Sequence, residues 1–399
     1  MRTVVRTVGV VAAAAVVSIG SVSAACADPA APVPDLEVTT VLDGLVRPWD
    51  VVVAPDGAIL TGERSGRFVV KRADGSSGEV AADLSDLYAE GETGLMGIAL
   101  AADFASGRTV YTCQGHRGTA GDSVDTGSLG SVTGSLGGND NGTDIRVVSW
   151  TVDPGWTTLT RTGDVLTGIP VGEGGRHGGC RILAHPDGTL YVGTGDSANP
   201  TVPQDRTVLG GKVLHIDADG SPAVGNPDPG SPVFTLGHRN SQGLALQPDS
   251  GRLYNIEQGT DRDDEVNLLA AGDNYGWRPD RIPFVYDESV PMTDPVRVPG
   301  AVAAVWSSGK PTIATPGGTF VDGAAWGAWD GALAVTSQQA KKLLLLQLSG
   351  DGRSVVGAAS VLEGEYGRLR SATRMPDGSL LVTTDNGSGD QVLWVSPQG

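Results

Sequence analysis

Short apolar runs recur along the whole chain, each closed by a tight turn and followed by a second apolar run. The clearest are WDVVVAPDGAILTGE (Trp49–Glu63), CRILAHPDGTLYVGTGD (Cys180–Asp196), GLALQPDSGRLYNIEQG (Gly243–Gly259) and ATRMPDGSLLVTTDNG (Ala372–Gly387). Weaker copies are GIALAADFASGRTVYTCQG (Gly97–Gly115) and GTFVDGAAWGAWDGALAVTS (Gly318–Ser337). The turn composition has a physical reason. Proline presets φ at the first corner, aspartate bonds back to the backbone, and glycine takes the positive φ. No stretch holds a helical period for three turns without a glycine or proline, so the pattern predicts strands throughout.

These six copies are spaced about 50 to 80 residues apart. A supersecondary unit repeated on that scale means a propeller or a solenoid, and each unit has room for roughly four strands. The expected fold is therefore all-β: a six-bladed β-propeller of four-stranded antiparallel blades, one domain over residues 36–399. Such a ring presents its functional loops at one mouth. Residues 115–143 (GHRGTAGDSVDTGSLGSVTGSLGGNDNGT) interrupt the pattern with glycine, serine and threonine. They predict a long loop between blade strands, a passive insertion or a lid over the site.

The first residues change the picture of where the fold operates. Arg2 and Arg6 precede an apolar run from Val8 to Val22, and small residues follow from Ser23 to Ala27. This reads as a secretory signal (1–27) cut after Ala27, with a Pro/Ala linker over 28–35 and a secreted or extracytoplasmic product. Lipidation at Cys26 is the other reading, but Ser23 stands where lipoprotein signals prefer an aliphatic residue. No other segment is apolar and long enough to span a membrane. The chain carries a net charge of −18, and residues 1–27 hold two arginines and no acid, so the mature form is near −20. Such a surface repels phosphate backbones, which argues against a nucleic-acid partner. Cys113 and Cys180 are too isolated for a multi-cysteine zinc site. In an oxidising compartment they read as one disulfide, with two buried thiols as the alternative.

Hydrolase, zincin and phosphate-loop motifs are missing, and dinucleotide binding would need a helix that the pattern does not supply. Of the five histidines, His185 sits in a blade turn, His215 in a strand, and His116 opens the glycine-rich segment. His177 differs: in GGRHGGCR (Gly174–Arg181), glycines on both sides let the backbone expose it at a strand start. GHRNSQG (Gly237–Gly243) places His238, Arg239 and Asn240 at the entrance to another strand. EQGTDRDDEVNLLAAGDNYGW (Glu257–Trp277) is dense in oxygen ligands. It suits a hard cation such as Ca²⁺, with a surface acidic loop as the plain alternative. In YGRLRSA (Tyr366–Ala372), Arg368 and Arg370 share a face at strand period and suit a polycarboxylate, or form an ordinary solvated strand face.

Taken in order, these motifs resemble those of the soluble PQQ-dependent glucose dehydrogenases and aldose sugar dehydrogenases. The resembling pieces are GETGLMGIALAADF, RHGGCRILAHPDGTLYVGTGD, QD…LGGKVLHID, GHRNSQGLA, EQGTDRDDEVNLL…NYGW, PTIATPGG and GRLR…PDG…TTDN, spanning nearly all of the chain after residue 35. The resemblance implies oxidation of the C1 hydroxyl of an aldose to a lactone, with hydride passing to Ca²⁺-bound PQQ and then to an unnamed electron acceptor. It implies His177 as general base, and Arg239 as both cofactor ligand and stabiliser of charge growing on the quinone oxygen. Glu92, Asn240, Thr312, Arg368 and Arg370 fall at cofactor-binding positions. Gly259 and Thr260 would offer backbone carbonyls to Ca²⁺, and Glu265 with the Tyr275 region a second Ca²⁺ position.

Several residues depart from that family. Glu92 stands where the family often has glutamine, and a carboxylate beside an anionic cofactor is unfavourable unless paired. Gln339 takes the place of a lysine of the glucose-oxidising branch, with Lys341 and Lys342 displaced. Thr260 replaces a proline, and Cys180 a glycine. Two other readings follow: a non-catalytic sugar- or protein-binding propeller, and a metal-dependent lactonase-like hydrolase.

Overall fold

The structure, a computed structural model, describes residues 31–118, 142–282 and 285–398. The expected signal, its cleavage point, Cys26 and most of the Gly115–Thr143 segment lie outside the described residues. The strands run in this order. β1 (Leu36–Leu45) precedes β2 (Pro48–Val53), β3 (Ile59–Glu63), β4 (Arg67–Lys71) and β5 (Ser77–Ala82). β6 (Leu95–Leu100), β7 (Thr109–His116), β8 (Asp144–Val152) and β9 (Thr158–Ile169) come next. Then follow β10 (Gly179–Ala184), β11 (Leu190–Thr194), β12 (Lys212–Ile216) and β13 (Val233–Leu236). β14 (Ser241–Leu246), β15 (Leu253–Glu257), β16 (Glu265–Leu268) and β17 (Trp306–Ser307) form the next group. β18 (Gly317–Phe320), β19 (Leu333–Ser337), β20 (Lys342–Leu348) and β21 (Val355–Val361) follow, and β22 (Leu369–Arg374), β23 (Leu380–Thr384) and β24 (Asp390–Pro397) end the chain.

Among the described residues, four sheets hold four antiparallel strands each, and one holds eight. The eight-stranded sheet is two antiparallel halves of four, joined where β5 and β9 run parallel over Ala81↔Thr158 and Ala82↔Leu159. The last sheet is completed from the other end of the chain, with β1 pairing antiparallel to β24. The leading strands β2, β6, β10, β14, β18 and β22 contact one another in cyclic order, giving a propeller-like ring.

Each expected turn joins a leading strand to the strand beside it in the same sheet. In three of them the aspartate accepts from the backbone N–H two residues on: Asp56 from Ala58 at 3.1 Å, Asp187 from Thr189 at 2.9 Å, Asp377 from Ser379 at 3.0 Å. The following glycines take positive φ (Gly57 +86°, Gly188 +97°, Gly378 +84°). The leading strands are packed on both faces, with apolar side chains beside a few buried polar ones such as Asp50, Arg181, Gln242 and Arg370. Trp49, Val51, Leu95, Ile98 and Cys180 are all buried there. Each large side chain removed from water stabilises the ring by about 1.5–3 kcal/mol.

One boundary differs from the sequence expectation. β7 extends through Gly115 and His116, which pair with Ile145 and Asp144 of β8. His116 is therefore a strand residue between Asp86 (3.6 Å) and Asp144 (3.5 Å) and does not open a loop. A glycine at 115 reads as loop in sequence. Here it lets the strand pass within contact of Tyr88, whose carbonyl would stand 2.3 Å from a Cβ.

Candidate active site

Five of the six leading strands begin with a register irregularity: Pro48/Asp50, Leu95/Ile98, Gly179/Arg181, Ser241/Gly243 and Leu369/Ala372. A bulge bends the strand and re-aims the residues beside it. The candidate residues lie at these strand starts, which turn them towards one another.

His177 precedes β10 in a stretch where five residues hold positive φ: Gly174, Gly175, His177 (+52°), Gly179 and Cys180 (+71°). The glycines are required by close approach as well: a Cβ on Gly175 would sit 1.9 Å from the Glu90 carbonyl oxygen. The coil delivers a buried imidazole whose Nδ1 lies 2.8 Å from Asp196 Oδ1. Asp196 follows β11 and is fully buried. Its Oδ1 also accepts from the Ala198 N–H at 2.8 Å, and its Oδ2 from Trp277 Nε1 at 2.7 Å and the Tyr286 hydroxyl at 2.6 Å. Burial alone would raise this carboxyl, but His177, Arg239 and the Tyr286 hydrogen bond outweigh it and hold it below the usual carboxylate range. The anion thus fixes the imidazole with its proton on Nδ1, and Nε2 has no partner among the described residues. Behind Asp196, Lys212 Nζ donates to the carbonyls of Val202 (2.8 Å), Pro203 (3.2 Å) and Gly210 (2.6 Å), tying down the segment that carries the carboxylate.

Arg239 and Asn240 enter from the start of β14. Arg239 donates through Nη1 to the carbonyls of Gln258 (3.1 Å) and Gly259 (2.7 Å), and through Nη2 to Glu288 (3.2 Å). Asn240 accepts from the Gly179 N–H at 3.0 Å and donates to Glu92 Oε2 at 3.3 Å. The same Glu92 oxygen accepts the His177 N–H at 3.2 Å. Glu92, His177, Arg239 and Asn240 therefore form one cluster built from three strand starts.

Arg370 lies in the irregular segment of β22 and is buried. It meets Asp385 and Gln242 Oε1 only at 3.4 Å each, and its guanidinium stacks 4.4 Å from the Trp49 ring centroid. Burial pulls it down to about 10, opposed by Asp385 and reinforced by Arg181 and Arg64. Arg368 stands one residue before β22, outside the strand, so strand alternation does not fix its direction. Its backbone N–H donates to Asn386 and its half-buried guanidinium makes no ion pair among the described residues. Thr312 is not free towards the cluster: its hydroxyl donates to Asp264, 2.8 Å from both carboxylate oxygens.

The expected oxygen ligands separate into two places. The Gly259 carbonyl already accepts from Arg239, and Thr260 is half-exposed beside it. Glu265 is buried and raised well above the carboxylate range by burial and by Glu257. It accepts from Thr293 at 3.0 Å and weakly from Asn267. The Tyr275 hydroxyl is committed to the Leu268 carbonyl at 2.5 Å, and its ring stacks on His238. Among the described residues no three His, Cys, Asp or Glu side chains converge as a metal cluster.

Cys113 and Cys180 form a disulfide, with Cα atoms 5.4 Å apart. At the end of β19, Gln339, the residue expected at the lysine position, is exposed, whereas its neighbour Gln338 is buried and donates to Asp385 at 2.5 Å. The motifs contain Asp196 and Trp277 but assign neither a role, and nothing in the sequence points to Tyr286 or Glu288.

A family model described as Glucose / Sorbosone dehydrogenase matches residues 45–394. The chain belongs to the glucose/sorbosone dehydrogenase family. It is 27% identical over 374 residues to the aldose sugar dehydrogenase YliI of Escherichia coli, covering 91% of this chain and 93% of that one. It is 29% identical to quinoprotein glucose dehydrogenase B of Acinetobacter calcoaceticus over 262 residues, 59% of this chain and 51% of that one. The PQQ-bound form of an aldose sugar dehydrogenase from Streptomyces coelicolor superposes with a TM-score of 0.72 at 31% identity, covering 92% of this chain and 99% of that one. Within the glucose/sorbosone dehydrogenase family this chain is an oxidoreductase. At the site, the Glu92 carboxylate bridges the His177 backbone and the Asn240 amide.

Proposed function

We propose that this protein is an exported, six-bladed β-propeller aldose dehydrogenase that oxidises the C1 hydroxyl of a sugar to the lactone with PQQ and Ca²⁺. The observation that carries the reading is the pairing of a buried imidazole, whose Nε2 has no partner among the described residues, with two buried arginines that each keep one unpartnered donor there. Among the described residues, Arg239 Nε and Arg370 Nε are buried donors with no hydrogen bond, although the other guanidinium nitrogens have partners. Unsatisfied charged donors are costly unless an anion completes them, and a polycarboxylate does so. The site's donor set therefore fits PQQ, with Arg239, Asn240, Arg368 and Arg370 as the residues that would hold it. When bound, PQQ would supply the hydride acceptor, and the protein contributes placement and electrostatics. His177 Nε2 would take the C1 hydroxyl proton, and Asp196 would stabilise the imidazolium that results. Export is supported by the first 27 residues together with the Cys113–Cys180 disulfide. No helix among the described residues is long and apolar enough to cross a membrane.

The reading is tested by titrating the purified protein with PQQ and Ca²⁺, then adding aldoses with an artificial dye acceptor. Stoichiometric binding followed by dye reduction is expected. No binding at micromolar PQQ with Ca²⁺ present would overturn it.

Glu92 gives a sharper outcome. Its carboxylate places negative charge beside an anionic cofactor, so Glu92→Gln is expected to tighten PQQ binding about tenfold, the scale of one partly screened like-charge contact. Quinone absorbance titrations of the two proteins measure this. Equal or weaker binding by the variant would show that Glu92 does not face the cofactor.

For calcium, the better-supported position is Glu265. Asn255 Oδ1 and Asn267 Oδ1, from the strands that carry Glu257 and Glu265, are buried acceptors without partners among the described residues, and buried oxygen acceptors of this kind suit Ca²⁺. Millimolar Ca²⁺ is expected to raise the thermal midpoint of the wild type and to leave Glu265→Gln unmoved. An unmoved wild type would remove calcium from this position.

A further inference from the structure

We infer that Tyr286 is a positioning residue for the base, acting through Asp196; this rests on reading His177 as that base. Tyr286 lies on the long connection between β16 and β17, which crosses over the site. Its hydroxyl is 2.6 Å from Asp196 Oδ2 and 3.3 Å from His177 Nδ1. The phenolic hydrogen has two acceptors within reach, and the shorter contact assigns it to the carboxylate. Nδ1 must then carry its own proton for Asp196 Oδ1, which leaves Nε2 as the free base. Burial and the adjacent Asp196 push the phenol well above its ordinary value, so it remains a donor.

The geometry explains why one hydroxyl has this leverage. Asp196 holds four donors: His177 and Ala198 on one oxygen, Trp277 and Tyr286 on the other. A carboxylate held from both sides cannot pivot about its Cβ–Cγ bond, so the imidazole keeps one orientation. Without the phenol, Oδ2 is held by Trp277 alone. The connection is itself anchored where it passes. Glu288, two residues on, meets both Arg176 and Arg239, and the Arg176 guanidinium lies 5.9 Å from the Tyr286 ring centroid. The tyrosine ring also packs 5.9 Å from His177 and 5.9 Å from Trp277, centroid to centroid, contacts that phenylalanine would keep.

The experiment compares wild type with Tyr286→Phe in the full-length protein. Reconstituted with PQQ and Ca²⁺, the variant is expected to lose about ten- to hundredfold in kcat, the range seen when a partner that orients a functional histidine is removed. KM for the aldose and PQQ affinity should be unchanged. In the cofactor-free protein, ¹⁵N NMR of the neutral His177 ring should show the Nδ1–H tautomer alone in wild type and a mixture in the variant. Wild-type kcat together with an unchanged tautomer signal would overturn the proposal. A changed tautomer in a protein that oxidises no aldose would sink the proposed function and the naming of His177 as its base, while leaving Tyr286 as the residue that orients the imidazole through Asp196. Should Tyr286→Phe fail to fold, Tyr286→Met also removes the phenol while filling part of the ring's space, and an unmixed tautomer there would overturn the proposal equally.

Discussion

Replacing His177 with alanine is expected to lower aldose turnover by about 10²–10⁴, the contribution of a positioned general base. PQQ binding should persist, because the buried arginines that would hold its carboxylates are separate from the imidazole. The two effects separate because His177 is tied to Asp196 at 2.8 Å, whereas Arg370 is held by Trp49, Asp385 and Gln242. Single-turnover rates with bound PQQ, set beside quinone absorbance titrations, check this. A variant that binds PQQ and turns over within a few-fold of wild type would remove His177 from the proton transfer. One that loses PQQ as well would make the histidine a cofactor ligand.

Removing the Cys113–Cys180 disulfide is expected to destabilise the protein by about 4 kcal/mol, the chain-entropy value for a loop of this size. The cysteines are 67 residues apart, and the bond joins β7 to β10 across the gap between two sheets. The choice of replacement matters. Cys180 holds φ at +71°, which costs an L-residue about 1 kcal/mol and glycine nothing. Cys113→Ser/Cys180→Gly is therefore expected to be about 1 kcal/mol more stable than Cys113→Ser/Cys180→Ser. Denaturant midpoints of the three proteins measure both differences. A double serine variant as stable as wild type would show that apolar packing alone holds the two strands, and equal double variants would show that the positive φ is not strained.

The ring was legible because its signal is local. Each Pro-Asp-Gly turn carries its own reason to form, and the turns fall between the strands they predict. His177 was legible for the same kind of reason, since the glycines that expose it are its sequence neighbours. Asp196 was harder. It follows a strand in a G-x-G-D run that reads as an ordinary turn, and only tertiary packing brings it to His177. Tyr286 and Glu288 carry no pattern at all: they lie on an irregular connection between two strands of one sheet, and their role exists only because that connection crosses the mouth. The inward turn of Gln338, rather than Gln339, is a matter of one-residue register at a strand end, which alternation cannot settle once the strand has stopped. His116 reads as loop because the glycine before it looks like an interruption, whereas in the fold that glycine admits the Tyr88 backbone on the connection between β5 and β6.

The pairing of β1 with β24 has a consequence for biogenesis. Among the described residues, β1 is made before every other strand yet has no partner in its sheet until β24 follows, when the Gln398 N–H meets the Asp35 carbonyl at 2.7 Å. Until Asp390–Pro397 is available, β1 and β23 each present an unpaired edge, the kind of surface that invites pairing with another chain. A chain that stalls or is clipped before β24 would therefore be an open, adhesive arc.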